Sequence, residues 1–123
     1  MSECPFCDVP EDEILQENEL CFARWDKFPV APGHLLVIPY RHFSNYFDAT
    51  TDEIIALWKL VHETKHVIRE RHSPDGYNIG VNIGRAAGQS VVHLHIHVIP
   101  RYEGDTADPF GGVRGVVPGK ARY

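Results

Sequence analysis

The chain has 123 residues, of which 43% are hydrophobic and 24% charged, and its formal net charge is −5 at pH 7. This length predicts a single domain over residues 1–123 with one hydrophobic core. The negative charge disfavours a nucleic-acid polymer or an anionic membrane as partner. Because no apolar stretch approaches the roughly 18 residues of a membrane span and residues 1–5 lack signal-peptide features, we expect a cytoplasmic protein.

The first elements are short and separated by turn residues. Cys4 and Cys7 form a Cys-x-x-Cys pair in a polar turn, residues 13–17 predict a short helical turn, and residues 19–25 predict a strand. A total of three cysteines fits a disulfide framework poorly. A metal site explains the pair better than a redox site does, because no βαβ unit surrounds it. Cys21 is expected to behave as a small buried hydrophobe.

The middle of the chain predicts a central strand and one long helix. Residues 34–38 are almost entirely apolar, which favours a central strand. The helix is predicted over residues 51–72, and Thr50 with Glu53 has the spacing of a capping box at its start. An apolar stripe at steps of three and four residues consists of Ile54, Leu57, Trp58, Val61 and Ile68.

The last third predicts two further strands and a tail. The strands are expected at residues 77–83 and 90–99, and the tail at residues 105–123 is rich in glycine and proline, with a possible edge segment at residues 113–117. Strands, one long helix and again strands predict an α+β fold with a mostly antiparallel sheet.

Three histidines, His93, His95 and His97, alternate with apolar residues in the predicted strand 90–99. Alternation along a strand predicts the imidazoles on one face and Val92, Leu94, Ile96 and Val98 on the other. Imidazole titrates near neutral pH and serves proton transfer and covalent catalysis. One catalytic zinc ion held by all three rings is disfavoured, because the outer two lie roughly 13 Å apart at the usual rise of a strand.

The loop before these histidines, residues 84–90, reads GRAAGQS and has the composition of an anion site. Its glycines allow close approach of the backbone, so that N–H groups face an anion. Gln89 and Ser90 add side-chain donors, and Arg85 adds a positive charge. The loop and the histidines together predict phosphate chemistry.

Residues 88–99, GQSVVHLHIHVI, resemble the signature of the histidine triad (HIT) family, His-φ-His-φ-His-φ-φ with a Gly-Gln-Ser/Thr lead-in. The segments PGH at 32–34, VIPYRH at 37–42 and GVN at 80–82 resemble further family blocks, so the resemblance covers nearly the whole chain. The opening CPFC looks most like small microbial members. The resemblance implies a mostly antiparallel sheet with one long helix, and a homodimer to which the tail at residues 105–123 contributes contacts or specificity.

The resemblance also implies an activity. Proteins of the family that this chain resembles are nucleotidyl hydrolases and transferases. They cleave at the α-phosphorus of dinucleoside polyphosphates or nucleoside phosphoramidates. By that resemblance His95 is the nucleophile of a covalent nucleotidyl-histidine intermediate, and a nucleoside monophosphate is released. Positions that contact the α-phosphate or the leaving group match His97, Asn82, Gln89 and Ser90. Asp26 matches a carboxylate that holds the ribose hydroxyls, although a turn residue is an equally good interpretation of it.

The resemblance further implies a structural zinc ion and no organic cofactor. In zinc-bearing members the cysteine pair is completed by two histidines, which implies the closed ligand set Cys4, Cys7, His42 and His93. Cysteines without metal are the alternative. The expected partner is a purine nucleotide or a dinucleoside polyphosphate. Two other functions stay open: a nucleotide-binding regulatory or scaffold protein with incidental turnover, and a phosphorylase in which inorganic phosphate replaces water.

Overall fold

In the computed structural model, which describes residues 3–123, one antiparallel five-stranded sheet carries a single long helix on one face. The elements are β1 (Gln16–Glu17), β2 (Cys21–Trp25), β3 (Leu35–Pro39), α1 (Thr51–Arg69), β4 (Gly76–Val81) and β5 (Ile96–Arg101). The strand order is β1-β2-β3-β5-β4, and every neighbouring pair is antiparallel. The predicted α+β class is therefore confirmed. Among residues 3–123, no helix has both the length and the apolar composition that a membrane span needs.

The main hydrophobic core lies between α1 and the sheet. The predicted capping box begins the helix, since the Thr50 side chain accepts from the Glu53 N–H while the Glu53 side chain accepts from the Thr50 N–H. The helix and sheet residues buried in this core include Leu57, Leu60, Val61, Ile68, Leu35, Val37, Ile96 and Val98. Because side chains alternate along a strand, the burial of Ile96 and Val98 under the helix directs His97 to the opposite face.

The face of the sheet opposite the helix carries a second, smaller apolar cluster. Phe22, Leu36 and Ile38 are buried there beneath Phe6, which belongs to the N-terminal segment. Cys21 faces the helix side and is completely buried, as expected. Burial raises the pKa of its thiol to about 11, although the Asn18 side chain opposes the shift by a hydrogen bond. The N-terminal segment therefore covers the face that His97 occupies.

Several predicted elements were wrong or displaced. The helical turn expected at residues 13–17 is instead a 3₁₀ turn at Glu11–Glu13 followed by β1, whose residue Gln16 pairs with Ala23. The edge segment expected at 113–117 is a 3₁₀ helix at Gly112–Val116. Gly111 and Gly112 both have positive φ angles there, 86° and 49°, and so turn the chain before a strand can form.

The prediction that three histidines share one face of a strand is wrong, because β5 begins only at Ile96. The residues before it are fixed by the loop after β3: the Leu94 N–H donates to the Phe43 carbonyl at 2.7 Å. Val92 is 68% exposed and does not join the core. The histidines are therefore presented by a loop that enters a strand, and their rings diverge to different partners.

Candidate active site and metal-binding group

A cleft of about 400 Å³ opens on the sheet face opposite the helix. Five of the six predicted catalytic and substrate-binding residues line it: Asp26, Asn82, Ser90, His95 and His97. They come from the end of β2, the end of β4, the glycine loop and the segment entering β5. The strand order of the sheet brings these five residues together, because β5 lies between β3 and β4.

His95 is held in one tautomer by its own backbone. It is 8% exposed, and its Nδ1 lies 2.9 Å from the carbonyl oxygen of His93. Because a carbonyl only accepts, Nδ1 carries the proton and donates it, and in the neutral ring Nε2 keeps a free lone pair. The ring of Phe6 contacts the imidazole edge-on, with centroids 5.1 Å apart. His95 is therefore a fixed ring whose Nε2, in the neutral form, has a free lone pair.

His97 is the opposite tautomer, with its proton on Nε2. Two successive hydrogen bonds, from Val30 to His34 and from His34 to His97, fix that tautomer. The Val30 N–H donates to Nδ1 of His34 at 3.1 Å, so neutral His34 carries its proton on Nε2. That Nε2 lies 3.0 Å from Nδ1 of His97 and donates to it. Neutral His97 then carries its proton on Nε2, where it is a hydrogen-bond donor. The cleft thus contains one imidazole with a lone pair at Nε2 and one with a proton there.

Burial keeps the rings of His97 and His34 neutral. Desolvation, followed by repulsion from His95 and His34, lowers the pKa of His97 to about 4, and the carboxylate of Asp26 only partly opposes this. Desolvation also lowers the pKa of His34, again against the attraction of Asp26. At neutral pH both rings carry a single proton, as the hydrogen-bond chain requires.

Asp26 forms a turn contact and also borders the cleft. Its Oδ1 accepts from the Phe28 N–H at 2.8 Å, which is the turn interpretation. Its Oδ2 lies 3.4 Å from Nε2 of His34, and its side chain is 15% exposed in the cleft. The carboxylate is thus fixed through one oxygen, and the residue borders the cleft as an acceptor.

The glycine loop is shaped largely by Gln89. Its Oε1 accepts from the Gly84 N–H, while Nε2 donates to the carbonyls of Ser44 and Val91. Gly84 and Gly88 have φ angles of 86° and 92°, values that side-chain-bearing residues rarely adopt. Gln89 does not line the cleft, whereas Ser90 does. The side chain of Gln89 therefore holds the loop in shape.

The ligand atoms of Cys4, Cys7, His42 and His93 converge to within 4.8 Å of one another. Nδ1 of His93 lies 3.3 Å from Sγ of Cys4, 3.6 Å from Sγ of Cys7 and 3.1 Å from Nδ1 of His42. A zinc tetrahedron with two sulfur and two nitrogen ligands has edges of about 3.3 to 3.8 Å. These four side chains therefore fit a tetrahedral metal-binding group.

The proton on His93 agrees with that fit. Its Nε2 donates to the Pro39 carbonyl at 2.8 Å, so its Nδ1 lone pair points to the cysteines. A backbone carbonyl on the second ring nitrogen is the usual support of a metal-ligating histidine. The carbonyl of His93 in turn fixes the tautomer of His95. One residue thus connects the metal-binding group to the cleft.

The residues of the cleft that were missed as parts of the site include His34, Phe6 and Arg24. Strand parity carries a signal for His34, because it precedes Leu36 by two residues and Leu36 pairs with His97. Nothing in the sequence signals that Phe6 reaches His95, since that contact depends on the path of the N-terminal segment.

Comparison with known proteins identifies the family. The HIT domain model matches residues 8–104. The chain is 38% identical over 107 residues to the AP-4-A phosphorylase of Mycobacterium tuberculosis, a match covering 82% of this chain and 55% of that protein. It is 38% identical over 97 residues to the Bis(5'-adenosyl)-triphosphatase of Dictyostelium discoideum, covering 79% of this chain and 65% of that protein.

A solved structure is similar in the same way. The zinc-bound histidine triad family protein of Mycobacterium smegmatis superposes with a TM-score of 0.75 at 33% identity, covering 86% of this chain and 80% of that chain. Its fold agrees with the antiparallel sheet described above. The chain belongs to the histidine triad (HIT) family.

Proposed function

We propose that this protein is a nucleotidyl hydrolase that cleaves at the α-phosphorus of dinucleoside polyphosphates or nucleoside phosphoramidates through a covalent intermediate on His95. The observation that carries the proposal is the hydrogen bond from Nδ1 of His95 to the His93 carbonyl. It leaves Nε2 with its lone pair in a cleft that also contains His97, Asn82, Ser90 and Asp26. A phosphoryl centre bound there meets one nucleophile and several donors.

In the first step Nε2 of His95 attacks the α-phosphorus. The Nε2–phosphorus bond forms as the bond from phosphorus to the leaving group breaks, and the leaving group departs with the electron pair of that bond. His97 supplies a proton at its own Nε2, which stabilises negative charge on a phosphoryl oxygen or on the departing atom. The Nδ1–H···O hydrogen bond to the His93 carbonyl stabilises the positive charge that His95 acquires.

In the second step water attacks the same phosphorus. A phosphorus–oxygen bond forms, the Nε2–phosphorus bond breaks, and His95 recovers its lone pair. The proton of the water passes to solvent, and the product is a nucleoside monophosphate. Asn82 and Ser90 are proposed to donate to phosphoryl oxygens, with the loop that Gln89 holds. The Asp26 carboxylate is proposed to accept from the ribose hydroxyls.

We also propose that the metal-binding group holds a structural Zn²⁺ through Cys4, Cys7, His42 and His93. A closed set of four protein ligands leaves no open coordination position for substrate. When bound, the ion would supply only a cross-link between the N-terminal segment and the residues that enter β5. Phe6 lies between two of these ligands in sequence and touches His95, so that cross-link would also fix one wall of the cleft.

A second candidate is a phosphorylase, favoured by the relative that bears that name. The first step is the same, and inorganic phosphate replaces water in the second, so that the product is a nucleoside diphosphate. A nucleotide-binding protein with incidental turnover is the third. The cleft geometry favours turnover over mere binding, because binding alone does not require the opposite proton arrangements of His95 and His97.

The test is a product assay of the pure protein with diadenosine tetraphosphate and with adenosine phosphoramidate, each with and without inorganic phosphate. AMP from either substrate, independent of phosphate, supports the hydrolase. ADP that appears only with phosphate supports the phosphorylase. Binding of the nucleotides without product would contradict both enzymes and favour the binding role.

Homodimer formation is part of the proposal, with the tail at residues 105–123 as a contributor. Strand β4 is an edge of the sheet, and the 3₁₀ helix Gly112–Val116 lies against it. An exposed edge strand favours pairing with a second chain. Light scattering coupled to size-exclusion chromatography measures the mass: twice the chain mass supports the dimer, and a monomer at assay concentrations contradicts it.

A further inference from the structure

Arg24 is a buried cation in the wall of the cleft. It lies on β2 with 6% of its surface exposed, on the same sheet face as Phe22, while its neighbours Cys21 and Ala23 face the helix. The cleft is lined by Arg24 together with His95 and His97. A buried guanidinium is costly unless its N–H groups find acceptors. The acceptors around Arg24 therefore need to be identified.

Protein acceptors bind only some of the N–H groups of this guanidinium. Nη2 donates to Oε1 of Glu13 at 2.6 Å, and Nε donates to the Trp25 carbonyl at 3.3 Å. Within the described residues 3–123, Nη1 donates to no protein acceptor. Arginine and a carboxylate often pair through two parallel hydrogen bonds, whereas Glu13 receives only one here. N–H donors thus remain for a ligand that enters the cleft.

The position of Arg24 in the sheet fixes which part of a nucleotide it meets. Arg24 pairs with Leu36 and Leu36 pairs with His97, so the three form one row across the sheet. With strands about 4.8 Å apart, Arg24 and His97 lie about 10 Å apart at their Cα atoms. Leu36, 4% exposed, gives the row an apolar middle. The phosphate binds at the His97 end in the proposed function, so the base lies towards Arg24.

Building on the proposed function, we propose that Arg24 determines base specificity and selects purines with a 6-oxo group, guanine and hypoxanthine, over adenine. Guanine presents two acceptors, N7 and O6, to an arginine fork, which is the commonest specific pairing of this side chain. Adenine presents N7 beside the N6 amino group, and that donor faces another donor on the guanidinium. The substrates proposed for this protein are therefore guanosine or inosine nucleotides.

The first experiment measures binding of GMP, IMP and AMP to the intact protein by calorimetry. We expect GMP and IMP to bind about tenfold tighter than AMP, in the range of one bidentate arginine–base pair. IMP separates the 6-oxo group from the 2-amino group of guanine, since it has only the former. Equal or tighter binding of AMP by the wild-type protein would overturn the inference without any variant.

The variants are R24M and R24K, with K27M as the matched control. Lys27 also contacts Glu13, at 3.4 Å, and borders the cleft, but its side chain is 62% exposed. R24M should bring the GMP/AMP ratio to about one, and R24K, which keeps the charge and loses the fork, should lower it strongly. K27M should keep the wild-type ratio. Thermal unfolding checks that each variant is folded. If R24M does not fold, R24K alone tests the role of Arg24.

Two results separate this inference from the proposed function. If the guanosine and adenosine forms of the tetraphosphate are hydrolysed equally well and R24K changes nothing, the role of Arg24 is structural and the hydrolase stands. If GMP binds in preference to AMP, yet neither tetraphosphate is cleaved, the proposed base selection by Arg24 is supported and the proposed hydrolase activity is contradicted. A protein that binds none of the three nucleotides overturns both.

Discussion

Two clusters of potential metal ligands occur among the described residues, and they differ in where their imidazole protons lie. Cys4, Cys7, His42 and His93 form one, and Asp26, His34 and His97 form the other, each with its ligand atoms within 4.8 Å. In the first, the Pro39 carbonyl holds the proton of His93 away from the cluster, so its lone pair is available.

The second cluster differs because its ring lone pairs are already used. Nδ1 of His34 accepts from the Val30 N–H, and Nδ1 of His97 accepts from His34. A cation on Nε2 of His34 would have to displace the proton that this arrangement places there. Similar distances therefore describe a metal-binding group in one case and a proton-ordering chain in the other. Hydrogen-bond partners, and not proximity, distinguish the two.

The largest expected effect is loss of turnover in H95A. Without Nε2 at this position the covalent path is closed, and kcat should fall by at least about 10³-fold. Nucleotide affinity should change little, since Asp26, the loop and the cleft walls remain. Steady-state kinetics and calorimetry on the same preparation measure the two quantities. Wild-type turnover by H95A would refute the proposed mechanism.

Removal of the metal should destabilise the fold through the first cluster alone. With free zinc at about 100 times the dissociation constant, the ion contributes about 3 kcal/mol to the free energy of unfolding. A chelator, or the substitution C7S, should remove that contribution. H97Q should retain one zinc per chain, which elemental analysis measures. Loss of zinc in H97Q would show that the second cluster is the metal site.

Replacement of His34 should test the proton-ordering chain. H34A removes the donor that holds Nδ1 of His97, so His97 is free to reverse its tautomer, and we expect kcat to fall by about tenfold with one hydrogen bond lost. H34Q retains a side-chain donor and should recover part of kcat. KM should change less than kcat if the role is to position His97. Equal loss in H34A and H34Q, all in KM, would contradict that role.

Acidification should destabilise the protein through His97. Its folded pKa of about 4 lies below the ordinary 6.5, so between these values the unfolded chain binds the proton more readily. Stability is therefore full above pH 6.5 and falls as pH is lowered towards 4, by at most about 1.4 kcal/mol per pH unit for this single group. Urea unfolding at several pH values measures the slope, and H97Q should reduce it. An unchanged slope in H97Q would assign the effect elsewhere.

The sequence predicted the features that local patterns encode. Thr50 and Glu53 gave the start of the helix, and alternation around His97 gave the face on which it lies. The family resemblance supplied Cys4, Cys7, His42 and His93, and the ligand atoms of these four side chains do converge. Each of these depends on neighbours in sequence or on a motif.

What the sequence did not predict depends on contacts between distant segments. The strand start at Ile96 follows from the bond of Leu94 to Phe43, a residue of the β3 loop. The role of Gln89 follows from its bond to Ser44, 45 positions away. The sequence predicts only that Arg24 belongs to a strand, whereas its pairing with Leu36 places it in the cleft. Contacts of this kind can be predicted only when the register of the strands and the paths of the loops are known.

The most direct test of the central claim is to trap the nucleotidyl intermediate. The protein is mixed with substrate in single turnover, quenched at high pH to preserve the nitrogen–phosphorus bond, digested and examined by mass spectrometry. The mechanism predicts one nucleotidyl group on the peptide containing His95, absent in H95A and formed no more slowly than product. Product released without any adduct, or an adduct on another residue, would contradict nucleophilic catalysis by His95.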